Sequence, residues 1–266
     1  MPIQAPKCQQ IEVDVVGENP GYLRFSDITK DKFHRLLDYE TTKHLHYFYH
    51  FNEQKLRVQI PEDFHDSLTT QLFLLICDKL KSAGLLNIAC LPNLSPSVRL
   101  GNVAAAKPHA CWRPLNNKDF PVFAEVGKSE NDNENDARQW IEYPGSSCQI
   151  CLVVELTDPD TIKLSIWSPK NPFNPSRQLR RSHTSAGITE LATITRGNPD
   201  LVVQFRSYIS PKNTPTEIRL PVVAFTGYQF PSGSDVKFGD IIILTEEDLK
   251  EFGRLYWIQR NSHKSQ

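Results

Sequence analysis

The period of the hydrophobic pattern changes several times along this chain. Phe33, Leu36 and Leu37 recur at helical spacing and predict a short helix over Thr29–Leu37, with Ser26 as its cap. His46–Phe51 alternates aromatic and polar residues, Asn52–Lys55 turns, and Leu56–Ile60 alternates again, a hairpin signature. Pro61 and Glu62 open a helix over Phe64–Ala83, where Leu68, Leu72, Leu75, Ile76 and Leu80 form one stripe that ends at Gly84. Short strands are expected at Asn87–Leu91, Ser97–Leu100 and His109–Trp112. Phe120–Val126 is apolar enough for a buried central strand and stops at Gly127. Ser129 then caps a helix over Glu130–Ile141, with Ala137, Trp140 and Ile141 facing inward. Gln149–Leu156 and Thr161–Trp167 follow as strands around an Asp158-Pro159-Asp160 turn. Further strands are expected at Ile188–Ile194, Leu201–Ser207, Glu217–Leu220 and Asp240–Leu244, and Thr245 opens a last helix over Glu246–Ile258.

This order of elements predicts an α/β fold with a mixed central sheet flanked by helices. An N-terminal hairpin and C-terminal strands and helix are added to it. Residues 1–20 are polar and proline-bearing and read as a flexible tail. Residues 21–266 read as one domain, with a core over about 56–167 and a C-terminal extension over 184–260.

Composition narrows the function classes. The chain has 266 residues and a formal net charge of −1, so bulk charge does not make it a coat for nucleic acid. Contact with nucleic acid then has to come from a local patch. The proline-rich loop Ser168–His183 carries Lys170, Arg177, Arg180 and Arg181 without an acid. It reads either as a phosphate-contacting patch or as a solvated, disordered loop, and Arg177–Arg181 also fits a nuclear-import patch. No apolar run reaches the length of a membrane span and the N-terminus lacks a signal-peptide core. The expectation is an intracellular protein, cytoplasmic or nuclear, with no membrane partner and no secretion. Six cysteines do not make a disulfide scaffold, and the single Cys148/Cys151 pair has no second pair to complete a zinc site. Strand packing is the simpler role for them.

The candidate chemistry centres on Glu125, at the end of the central strand. Phosphodiester cleavage with a divalent cation needs several hard oxygen ligands at one point. Glu125 would emerge at a rim beside Ser129, Pro108-His109 flanks the neighbouring strand, and Asp66 lies in the first turn of the long helix. Lys128 follows three residues after Glu125 and would balance charge on phosphate or hydroxide. Each has a plainer role as well: Glu125 as a solvated strand-edge acid, Asp66 as a first-turn acid on the helix dipole, His109 as a structural residue.

Those residues, in that order, resemble the PD-(D/E)xK restriction-endonuclease-like superfamily, and within it a group of uncharacterised proteins of filamentous fungi. The resemblance runs over Val58–Pro61, His65-Asp66, Pro108-His109 with Trp112–Pro114, Val122–Glu130 and Asp136–Ile141, and closes with Asp240–Leu249 and Trp257–Gln259. It implies a nuclease-like, hydrolase site in which Glu125 and Asp66 hold magnesium or manganese, His109 assists as ligand or proton carrier, and Lys128 stabilises phosphate charge. The chain departs from the pattern at two points. The aspartate after the proline is His109, and the lysine two positions beyond the glutamate is Gly127, displaced to Lys128. The resemblance therefore implies a nuclease-like protein with a degenerate active site and reduced or lost cleavage. The alternative is a non-catalytic nucleic-acid-binding or protein-interaction domain on the same fold.

Overall fold

The structure is a computed structural model that describes residues 15–19, 22–38, 45–59, 63–128, 130–170, 185–197, 199–209, 215–227 and 241–264. In chain order the first elements are β1 (Val15–Asn19), β2 (Tyr22–Phe25), α1 (Lys30–Leu37), β3 (His46–His50), β4 (Lys55–Gln59) and α2 (Asp63–Ser82). Then come β5 (Cys90–Leu94), β6 (Val98–Leu100), β7 (Ala104–Lys107), β8 (Ala110–Pro114), β9 (Val122–Gly127) and α3 (Glu130–Glu142). The rest is β10 (Ile150–Asp158), β11 (Thr161–Pro169), β12 (Ala186–Thr195), β13 (Val202–Ser207), β14 (Glu217–Pro221), α4 (Val222–Thr226), β15 (Ile241–Thr245) and α5 (Glu246–Lys264).

The expected mixed α/β architecture is present. A seven-stranded sheet runs β13-β12-β11-β10-β9-β8-β5, and β9 and β10 are its parallel pair, joined through α3. A second sheet of six strands runs β1-β2-β4-β3-β7-β6, and β14 pairs with β15. The expected hairpin is β3–β4, with His46 opposite Gln59 and Phe48 opposite Arg57.

Period-two alternation divides the cores. Leu152, Val154 and Leu156 of β10 join the α2 stripe of Leu68, Leu72, Ile76 and Leu80, together with residues of α5. Cys151 and Val153 point the other way, into a cluster shared by α3, Phe123 and the six-stranded sheet's Phe48, Ala104 and Ala106. α1 closes a third cluster on the far face of the six-stranded sheet through Phe33. Each fully buried leucine of the α2 stripe contributes roughly 2 kcal/mol by leaving water. Cys77, Cys90, Cys111, Cys148 and Cys151 are buried free thiols within these layers, as small apolar residues would be.

Several expectations are corrected. Val15–Asn19, read as part of a tail, is a strand paired antiparallel to β2. α1 is capped by Thr29, whose Oγ1 accepts from the Lys32 N–H at 3.3 Å, while Ser26 bonds Asp27. Thr29 stands immediately before the first helical residue, where a cap can reach the orphan N–H groups, and Ser26 is too early. The strand expected at Asn87–Leu91 forms at Cys90–Leu94, because Asn87 adopts a left-handed φ of 60° in the preceding turn. β7 and α4 were not expected. Thr245 does open α5, with its N–H donating to Asp248 Oδ2 at 2.7 Å and its Oγ1 accepting from the Asp248 N–H at 3.3 Å.

Candidate functional site

β9 positions Glu125. All six of its residues are buried, and alternation sends Ala124 and Val126 toward α2 while Phe123 and Glu125 face α3. Glu125 is therefore an interior residue at 6% exposure, and not at a strand-end rim as expected. The strand continues two residues further, to Gly127, so the side chain never reaches the edge.

Both carboxyl oxygens are engaged. Trp140 of α3 donates its Nε1–H to Glu125 Oε1 at 2.5 Å, and His109 Nδ1 lies 2.7 Å from Oε2. The backbone N–H of Val126 also points at His109 Nδ1, at 3.3 Å. A backbone N–H is a fixed donor, which favours Nδ1 as an acceptor and the shared proton on Glu125. His109 is 1% exposed and precedes β8 on the same side of the sheet as Cys111. Its ring stacks on His46 of β3, with centroids 3.9 Å apart, and lies 5.8 Å from His65.

The electrostatics agree with that proton placement. Desolvation by burial raises the Glu125 carboxyl from 4.5 to about 7, and the pull of nearby groups such as the Trp140 donor and Arg57 offsets only part of it. Desolvation lowers His109 from 6.5 to about 3 and His46 likewise to about 3. Each of the three groups is held toward its uncharged form.

Around this centre, Gln59 donates Nε2–H to the Val126 carbonyl at 2.9 Å and contacts His65 Nε2 at 3.1 Å. Since the Gln59 amide nitrogen is a donor, His65 Nε2 accepts. Arg57 and Asp136 form an ion pair, and Tyr22 donates its hydroxyl to Asp136 Oδ2 at 3.1 Å. A crevice of about 20 Å³ lies between His46, Gln59, Arg57, Glu125, Asp136 and Trp140, room for about one water.

The other expected site residues lie elsewhere. Asp66 is exposed, and its neighbour His65, 3% exposed, turns inward. One step along a helix rotates a side chain by about 100°. Lys128 is exposed, with Nζ 4.8 Å from the Phe64 ring centroid at the start of α2. Lys170 is exposed, and its side chain runs against Gly187. Arg177, Arg180 and Arg181 lie outside the described residues, as does the expected Ser129 cap. Of the four residues expected to act together, the structure joins Glu125 and His109.

Trp140, His46, His65 and Gln59 were not singled out for the site. Trp140 was legible as an inward-facing helix residue and His46 as an alternating hairpin residue. Nothing local connects either to Glu125.

The donor set does not suit magnesium or manganese. Such ions want ionised oxygen ligands in near-octahedral array. Here Glu125 is shifted toward its protonated form with a partner on each oxygen, the second carboxylate at the crevice, Asp136, is held by Arg57 and Tyr22, and the other neighbours include an indole and imidazoles. Among the described residues no group of three or more His, Cys, Asp or Glu side chains is arranged to hold a metal ion.

No protein-family description and no curated protein matches this sequence. Among solved structures, the chain is similar to one described as a "putative nuclease belonging to DUF820 from Anabaena variabilis ATCC 29413". The two are 11% identical, the match covers 85% of this chain and 99% of that one, and the TM-score is 0.44.

Proposed function

We propose that this chain is a restriction-endonuclease-like domain that works as a binding module and does not cleave phosphodiesters. The observation that carries this is the setting of Glu125: buried, with one oxygen bonded to Trp140 and the other to His109, and its carboxyl shifted toward the protonated form. A carboxyl group used to hold a catalytic cation has to be ionised with an oxygen free to ligate. The sequence supports the same reading, since histidine stands where the pattern of the superfamily has aspartate and Gly127 where it has lysine. Asp66 is exposed, and the second carboxylate at the crevice, Asp136, is held by Arg57 and Tyr22. On this reading Glu125 keeps its place in the fold as a packing and hydrogen-bonding group between β9, α3 and β8.

Cleavage assays test it. Purified protein is incubated with single- and double-stranded DNA and with RNA, in magnesium and in manganese, beside a Glu125→Gln variant. The expected result is no cleavage above background by either protein. Cation-dependent cutting by the wild type that disappears in Glu125→Gln overturns the proposal.

A further inference from the structure

The two edges of the seven-stranded sheet are built differently. β5 forms one edge and carries Pro92, which has no N–H to give a strand laid beside it. β13 forms the other, with the sequence Val-Val-Gln-Phe-Arg-Ser. Its register against β12 runs unbroken from Thr195 opposite Val202 to Glu190 opposite Ser207. Prolines, bulges and charges are what keep a sheet edge from accepting another strand. Of these β13 has one charge, Arg206.

No residue of β13 is fully buried. Alternation sets Val203 and Phe205 against the margin of the α2–α5 core, while Val202, Gln204 and Arg206 stand exposed on the other face. The ends of the strand are apolar and open: Val202 is 50% exposed, Tyr208 44% and Ile209 71%. The Tyr208 N–H donates to the Thr189 carbonyl at 2.9 Å, so Tyr208 still lies alongside β12. β14 approaches through the Arg219 N–H, which donates to Glu190 Oε2 at 2.8 Å, but its strand partner is β15. Among the described residues no strand pairs with the outer side of β13.

We propose that β13 pairs antiparallel with the same strand of a second copy of this chain, about a two-fold axis at Phe205, so that two seven-stranded sheets join edge to edge. The pattern of the strand is complementary to itself about that point. Val202 falls opposite Tyr208 of the partner subunit and Leu201 opposite Ile209 of the partner subunit, so each exposed apolar residue meets another apolar one. Gln204 falls opposite Arg206 of the partner subunit, so no like charges oppose each other. Neighbouring axes lose this match. An axis at Arg206 opposes two arginines, and one at Gln204 sets Tyr208 against Asp200 of the partner subunit. One strand supplies both halves of the match, as an isologous contact requires. A single strand pair buries less than a standard interface, so the association is weak, with a Kd between about 10 μM and about 1 mM.

Analytical ultracentrifugation of the full chain from about 5 μM to about 1 mM tests it, beside the double variants Val202→Lys/Tyr208→Lys and Val202→Lys/Tyr208→Glu. Both positions are exposed, and circular dichroism checks that each variant folds. In the proposed register the first variant opposes lysine to lysine at both ends of the strand pair, and the second opposes lysine to glutamate. The wild type is expected to pass reversibly from monomer to dimer over this range. The lysine-lysine variant should stay monomeric throughout, and the lysine-glutamate variant should associate at least about fivefold more tightly than it does. Amide hydrogen exchange of Val202–Ser207 in the wild type should slow as concentration rises. A wild type that is monomeric at every concentration overturns the second copy as occupant. Dimerisation that leaves exchange in β13 unchanged, or that survives in the lysine-lysine variant, overturns the edge as the contact. Equal behaviour of the two variants overturns the axis at Phe205.

Discussion

At Glu125 a carboxyl group gives up water and receives one fixed donor, Trp140, and one acceptor, His109 Nδ1. A neutral carboxylic acid matches that pair atom for atom, with its carbonyl oxygen accepting and its O–H donating. Glutamine makes the same match, its carbonyl to Trp140 and its amide to His109. Glu125→Gln is therefore expected to fold with near-native stability at neutral pH, whereas Glu125→Ala strands two buried polar groups and costs about 2–5 kcal/mol. The pH dependence follows from the direction of the shift. Glu125 titrates near 4.5 unfolded and about 7 folded, so its contribution is complete below 4.5 and is lost as pH rises through about 7. His46 and His109 fall from 6.5 to about 3, so theirs is complete above 6.5 and is lost as pH falls toward about 3. Glutamine keeps the histidine limb and removes the carboxyl limb. Urea denaturation at about pH 5 and about pH 8 should show the variant gaining on the wild type by roughly 1.4 kcal/mol per unit across the window from 4.5 to 7. A stability difference that is the same at both pH values would contradict a neutral Glu125.

The first turn of α2 decides which residue belongs to the centre. His65 faces inward with a hydrogen-bonding contact to Gln59, and Asp66 faces solvent. In denaturant melts, Asp66→Ala should cost no more than about 0.5–1 kcal/mol, the value of a first-turn acid on the helix dipole. His65→Ala should cost about 2–4 kcal/mol, for a lost buried side chain and an altered Gln59. The reverse order would place Asp66 in the centre after all. The sequence made the strongly patterned elements readable: α2 by its leucine stripe, β9 and β10 by continuous apolar runs, α5 by its capping pattern. It hid β7, whose Ala104-Ala105-Ala106 carries no polar alternation, and α4, which is five residues long behind Pro221. Glu125 was readable as the one acid in an apolar strand. Its partners were not, because β3, the turn before β8, and α3 meet only in three dimensions.

Across the whole molecule, Glu125 lies where the two large sheets and α3 come together. Trp140 stacks on Phe123 of the seven-stranded sheet at 4.2 Å and meets Phe48 of the six-stranded sheet edge-on at 5.9 Å. The same indole that joins the sheets donates to the carboxyl group, so packing and hydrogen bonding at this point reinforce each other. A cation at Glu125 would have to expel the shared proton and find further oxygen ligands inside an aromatic core. The most direct measurement is the melting temperature of the wild type and of Glu125→Gln, titrated with magnesium and with manganese through the millimolar range at neutral pH. Both proteins are expected to melt at a temperature independent of either cation. A saturable rise in the wild type that is missing in Glu125→Gln would show that Glu125 is a metal ligand and would contradict the neutral, non-cleaving centre.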